Sequence, residues 1–106
     1  MPQLPLLVVL CLTASACNPC AERCRTEAAA IDTCIDSWDL QWTDFGAVDA
    51  KSFRDRCVEA EQRWLSSLEG DEYRNEAEAC SDLATDLRLA ATCEATWEAL
   101  TNYGSD

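Results

Sequence analysis

Six cysteines, Cys20, Cys24, Cys34, Cys57, Cys80 and Cys93, each fall on an apolar stripe of helical period, and nothing else constrains this chain as strongly. Cys20, Cys24, Ala28, Ile31, Ile35 and Trp38 recur at intervals of three or four, the signature of one buried helix face. Asn18-Pro19 supplies a side-chain cap and then Pro at the first helical position. Phe53, Cys57, Ala60, Trp64 and Leu68 form a second stripe, with Asp49 as its cap and Gly70 as its stop. Tyr73, Ala77, Cys80, Leu83, Leu87, Ala90, Cys93, Trp97 and Leu100 form a third, which Asp71 can cap. No segment alternates as a strand would. The expected fold is therefore all-α, a small disulfide-stapled bundle of three helices running up, down and up. The helices are placed at about 19–38, 50–69 and 72–101, with a linker over 39–48 and a frayed tail at 103–106.

A cysteine on a buried stripe sits where a staple between helices belongs. In an up-down-up bundle with short connections, helices one and three are parallel, so bridged pairs share a constant difference in residue number. Cys20–Cys80 differs by 60 and Cys34–Cys93 by 59. Counting eleven residues back from Leu68 then brings Cys57 level with Cys24, which gives Cys24–Cys57 as the third bridge. An up-up-down order pairs Cys20–Cys93 and Cys34–Cys80. It leaves Cys57 about 10 Å from the level of Cys24 at roughly 1.5 Å per residue, too far for a disulfide. Two points stay open. Cys20 and Cys24 are one turn apart and can exchange Cys57 and Cys80. Cys80 and Cys93 point roughly 140° apart on an ideal helix, so the third helix must bend or reach the first from both edges.

Residues 1–16 contain no Asp, Glu, Lys or Arg. Leu4 to Ala16, LPLLVVLCLTASA, is long enough for a signal-peptide core and too short to span a bilayer. Ala14-Ser15-Ala16 offers the small residues a signal peptidase needs, and Cys17 follows at once. Residues 1–17 resemble the signal of a bacterial lipoprotein, whose lipobox places Leu and two small residues before the acylated cysteine. Ala14 stands where that family usually has Leu, and Met-Pro-Gln carries only the α-amino charge. The resemblance implies that residues 1–16 are removed and that residues 17–18 begin a mature chain anchored in a membrane by lipid on Cys17. Asn18 in place of an Asp implies the outer-membrane, periplasmic side of a cell envelope. Cleavage after Ala16 without acylation, giving a secreted protein, is the alternative. Cysteine parity favours the lipid: Cys11 leaves with the signal, seven cysteines remain, and acylation of Cys17 leaves six for three bridges.

All twenty acidic and all eight basic residues lie beyond Cys17, so the net charge of −12 belongs to the mature part. Such a surface repels phosphate backbones, which argues against a nucleic-acid partner, and it disfavours lying flat on an anionic bilayer. A basic protein partner remains allowed. Eight cysteines in 106 residues point to an exported disulfide scaffold.

The residue types exclude most chemistry. The chain has no histidine, hence no ordinary Ser-His or Cys-His nucleophile system. Cys17-Asn18-Pro19-Cys20 matches a redox C-x-x-C but lacks a surrounding βαβ pattern, and Cys20-x3-Cys24 as a zinc half-site lacks a second close pair. Asp32, Asp36 and Asp39 share a helix face without calcium-loop spacing and suit a solvated surface. No catalytic residue, cofactor or metal is therefore expected. Of the four tryptophans, Trp38, Trp64 and Trp97 lie on stripes and are expected in the core. Trp42 and Phe45, in the linker, form the candidate patch for a protein partner. The expected role is that of a monomeric, envelope-tethered binding or structural module, the alternative being a soluble secreted effector or inhibitor.

Overall fold

The computed structural model describes residues 18–104. Cys17 and the signal segment lie outside the described residues. Within them the chain is all helix: α1 Pro19–Cys34, α2 Ala50–Ser66, α3 Gly70–Leu89 and α4 Cys93–Gly104, with a short 3-10 turn at Trp42–Phe45. None of these helices is long and apolar enough to cross a membrane.

Local sequence accounts for the boundaries. The Asn18 carboxamide oxygen accepts from the amides of Cys20 at 2.9 Å and Ala21 at 3.3 Å, and Pro19 opens α1. Beyond Cys34 the chain continues as turns until Asp39, whose φ of 56° is left-handed. Leu40 N–H then donates to the Ile35 carbonyl at 3.2 Å, closing the end in the manner of a Schellman motif. Asp tolerates that conformation better than most residues. Asp49 caps α2, accepting from the Ser52 amide at 2.8 Å.

Helix α1 is the centre of the molecule, with α2 against one side of it and α3 against another. Its inward residues, Cys20, Ala21, Cys24, Ala28, Ile31 and Cys34, are all buried. Three disulfides tie every other helix to it. Cys20–Cys80 joins α3, Cys24–Cys57 joins α2 and Cys34–Cys93 joins α4, with Cα–Cα distances of 4.9, 5.7 and 5.5 Å. Leu65 meets Cys20 and Cys80 in one buried cluster while Cys57 sits at Cys24, so α2 runs antiparallel to α1.

Four helices stand where three were expected. The expected helix over 72–101 breaks at Ala90, whose ψ of 118° is extended. Thr92 restarts it, its hydroxyl accepting from the Ala95 amide at 3.0 Å. Helix α4 then runs back beside α3: Leu100 and Tyr103 line one cleft with Ala79 and Leu83, and the Tyr103 hydroxyl donates to Asp86 at 2.9 Å. The physical cause is angular. A straight helix would point Cys80 and Cys93 away from each other, yet both bond to α1, and breaking the helix resets the phase. Smaller boundaries also differ: α2 ends at Ser66 rather than near residue 69, and α3 opens at Gly70, with Glu69 rather than Asp71 at its N-cap position. Helix α1 ends at Cys34 rather than near residue 38, and Tyr103 and Gly104 belong to α4 rather than to a frayed tail.

The buried face of α2 differs as well. Trp64 is 52% exposed, whereas Leu65 is buried and Glu61 half-buried. Two contacts with α1 set the rotation of α2: the Cys24–Cys57 bridge and the Arg23–Glu61 ion pair. Bridging Cys57 to Cys24 places it at one edge of the contact. The face then runs through Glu61, Leu65 and Leu68, and Trp64 falls beyond that edge.

Candidate functional site

An apolar concavity lies where the end of α1 meets the start of α4. Ser37, Trp38, Leu40, Cys93, Glu94 and Trp97 line an open groove of about 530 Å³. Trp38 is fixed there because its indole N–H donates to the Cys93 carbonyl at 3.2 Å. Trp97 stands edge-on to it, with ring centroids 5.1 Å apart, and remains 41% exposed. The Cys34–Cys93 disulfide holds both walls together. Trp38 and Trp97 were both expected in the core; they are instead the walls of a surface groove, because the break at Ala90 swings α4 across the end of α1.

The linker aromatics sit elsewhere. Trp42 and Phe45, the residues singled out as a partner patch, are half-buried and cluster with Phe53 of α2. Centroid distances are 6.0 Å for Trp42–Phe45, 5.6 Å for Trp42–Phe53 and 6.5 Å for Phe45–Phe53. These three rings chiefly satisfy one another, holding the linker against the start of α2. The Arg56 guanidinium donates to the Gly46 carbonyl at 2.9 Å and closes the same loop.

A polar cluster that the stripe reading missed lies at the other end of α1. Arg23 reaches Glu27 on its own helix and Glu61 on α2, each at 2.5 Å, with 15–17% of each side chain exposed. One Glu61 oxygen, Oε2, is buried without a hydrogen-bond partner. Glu76 of α3 approaches the same place, so that one ligand atom each of Cys20, Glu61, Glu76 and Cys80 lies within 4.8 Å of the others. Both sulfurs belong to one disulfide and are not thiolates, which leaves two carboxylates as donors. The available signal was positional: Glu61 is one turn past Cys57, and Arg23 adjoins Cys24.

Burial pushes the Glu61 carboxyl above its ordinary value of 4.5, the neighbouring Glu76 adds to the rise, and Arg23 only partly opposes it. The folded protein therefore holds this proton at a pH where the unfolded chain has lost it. The stability Glu61 contributes is fully present below the unfolded value and is lost as pH rises through the folded one. Thermal midpoints are accordingly expected to rise as pH falls from neutral toward 4.5, and Glu61→Gln should flatten that slope. An unchanged slope in the variant would show that other groups carry it. Asp49 acts in the opposite sense at lower pH. Hydrogen bonds from Ser52 hold its carboxyl below 3.8, so its contribution is lost as pH falls further.

The remaining sequence motifs do not converge. Cys20 is bonded to Cys80 and unavailable for a redox pair with Cys17, and Cys24 is bonded to Cys57. Among the described residues, Asp32, Asp36 and Asp39 join no group of three or more potential metal ligands. No protein-family model matches the chain, and no curated protein or solved structure is detectably similar to it.

Proposed function

We propose that this chain is a small exported binding module, tethered to a cell envelope through lipid on Cys17 and acting as a monomer. The observation that carries the reading is the use of all six cysteines of the described residues in three cross-helix disulfides. Such bonds form and persist outside the reducing cytosol. With Cys20 to Cys93 fully paired, Cys17 is the one cysteine after Ala16 without a partner in that scheme, and it stands where the lipoprotein signal puts its acylated residue. An acidic surface keeps the tethered domain soluble and away from anionic headgroups. A binding role is favoured by the open aromatic groove between the end of α1 and the start of α4.

Intact-mass analysis of membrane and medium fractions tests the anchor. The membrane form is expected to begin at Cys17 and to carry the added mass of acyl chains, and Cys17→Ser should move the protein out of the membrane fraction. An unmodified chain starting at Cys17 in the medium would instead establish the secreted alternative, which Ala14-Ser15-Ala16 equally permits. A full-length polypeptide in the cytosol with titratable thiols would overturn both.

A further inference from the structure

We infer that the Trp38–Trp97 groove is the docking site for a Lys- or Arg-bearing segment of a partner protein, an assignment that rests on reading the chain as a binding module. Charge singles out this occupant. Glu94 lines the groove, and the two stretches that build it, residues 35–40 and 93–98, also carry Asp36, Asp39 and Glu98 and no basic residue. Among the described residues, no ion pair or side-chain hydrogen bond engages any of these four carboxylates. The protein's own cations are committed elsewhere. Arg23, Arg25, Lys51, Arg54, Arg63, Arg74 and Arg88 are all ion-paired, and Arg56 is bound to Gly46. Among the described residues no Lys or Arg lines the groove, so a basic partner would meet no competing internal cation there.

The aromatic floor suits the same ligand. An indole face attracts an ammonium or guanidinium, and Arg favours flat aromatic surfaces most. Trp38 is already held by its N–H and by the nearby disulfide, so little side-chain freedom is lost when a ligand settles on it. A cation over the tryptophans, beside Glu94 and near the Glu98 that follows Trp97 in the chain, would meet both apolar and charge complementarity in one place.

The full oxidised chain is titrated with two synthetic peptides, one alternating Arg and Leu and one alternating Glu and Leu, by tryptophan fluorescence and calorimetry. The Arg peptide is expected to bind and the Glu peptide is not, and binding should weaken at least tenfold between low and high salt. A control separates the groove from mere net charge. Glu94→Lys with Glu98→Lys should weaken binding at least tenfold, whereas Glu69→Lys with Glu72→Lys, which changes net charge equally at the α2–α3 corner, should leave it within twofold. Trp97→Ala should lose most binding and the exposed Trp64→Ala none. Equal losses in the two charge-reversed proteins, or binding of both peptides alike, would overturn the proposal. So would burial of Trp97 by self-association, which would assign the groove to a second copy of the chain. These readouts require no membrane and stand independently of whether Cys17 is acylated.

Discussion

Reduction of the full chain with a thiol reagent at neutral pH is expected to abolish its folded state at 25 °C. Each bridge closes a long loop, with sequence separations of 60, 33 and 59 residues. Restricting the unfolded chain in this way contributes on the order of 2–4 kcal/mol per disulfide. The whole stability of a small domain is only about 5–15 kcal/mol. The noncovalent core is correspondingly thin: the largest fully buried side chains are Ile31, Cys20 and Cys24, two of which are themselves half of a bridge. Circular dichroism should lose its cooperative thermal transition on reduction. Among single bridges, replacing Cys34 and Cys93 together by Ser should loosen α4 first, because α4 otherwise touches α1 only lightly. Retention of the oxidised midpoint in the reduced protein would mean that the helices hold by packing alone.

Ile31→Ala is expected to cost about 2–5 kcal/mol, and Trp64→Ala to remain within about 0.5 kcal/mol of the parent. Ile31 is 1% exposed in the last turn of the central helix, one turn from the Cys34–Cys93 bridge, so truncation leaves a cavity that rigid, cross-linked neighbours cannot collapse to fill. Trp64 is the larger side chain and lies on an apolar stripe, but half of it already faces water. Chemical denaturation of both variants in the oxidised state measures the contrast directly. If the tryptophan proved the costlier truncation, the observed rotation of α2 would be wrong, and with it the burial of Glu61 and the pH slope expected from it.

These outcomes separate what could be read in the residues from what could not. The cap at Asn18-Pro19, the cap at Asp49 and the three apolar stripes are local patterns, and they specify helices because propensity and capping act over a single turn. The constant offsets of 60 and 59 are likewise plain in the numbering, and the structure carries disulfides at those offsets. Angular phase was less accessible. Counting at three or four cannot distinguish Trp64 from Leu65, because both fall near the edge of the same face until a specific neighbour fixes the rotation. The linker aromatics show the same ambiguity: Trp42 and Phe45 look unpartnered until the chain turns at Gly46 and brings Phe53 beneath them.

By itself, then, the sequence determined helix content, cysteine placement, acidity and the absence of histidine, all of which follow from residue identity and short-range spacing. Only the tertiary structure decided that the last stripe is two helices, that Arg23 meets Glu61, and that Trp38 and Trp97 meet edge to face in a surface groove beside Glu94. The physical reason is that each of these depends on how helices are rotated and bent against α1. That is a property of three long-range covalent closures acting together, and no window of neighbouring residues contains it.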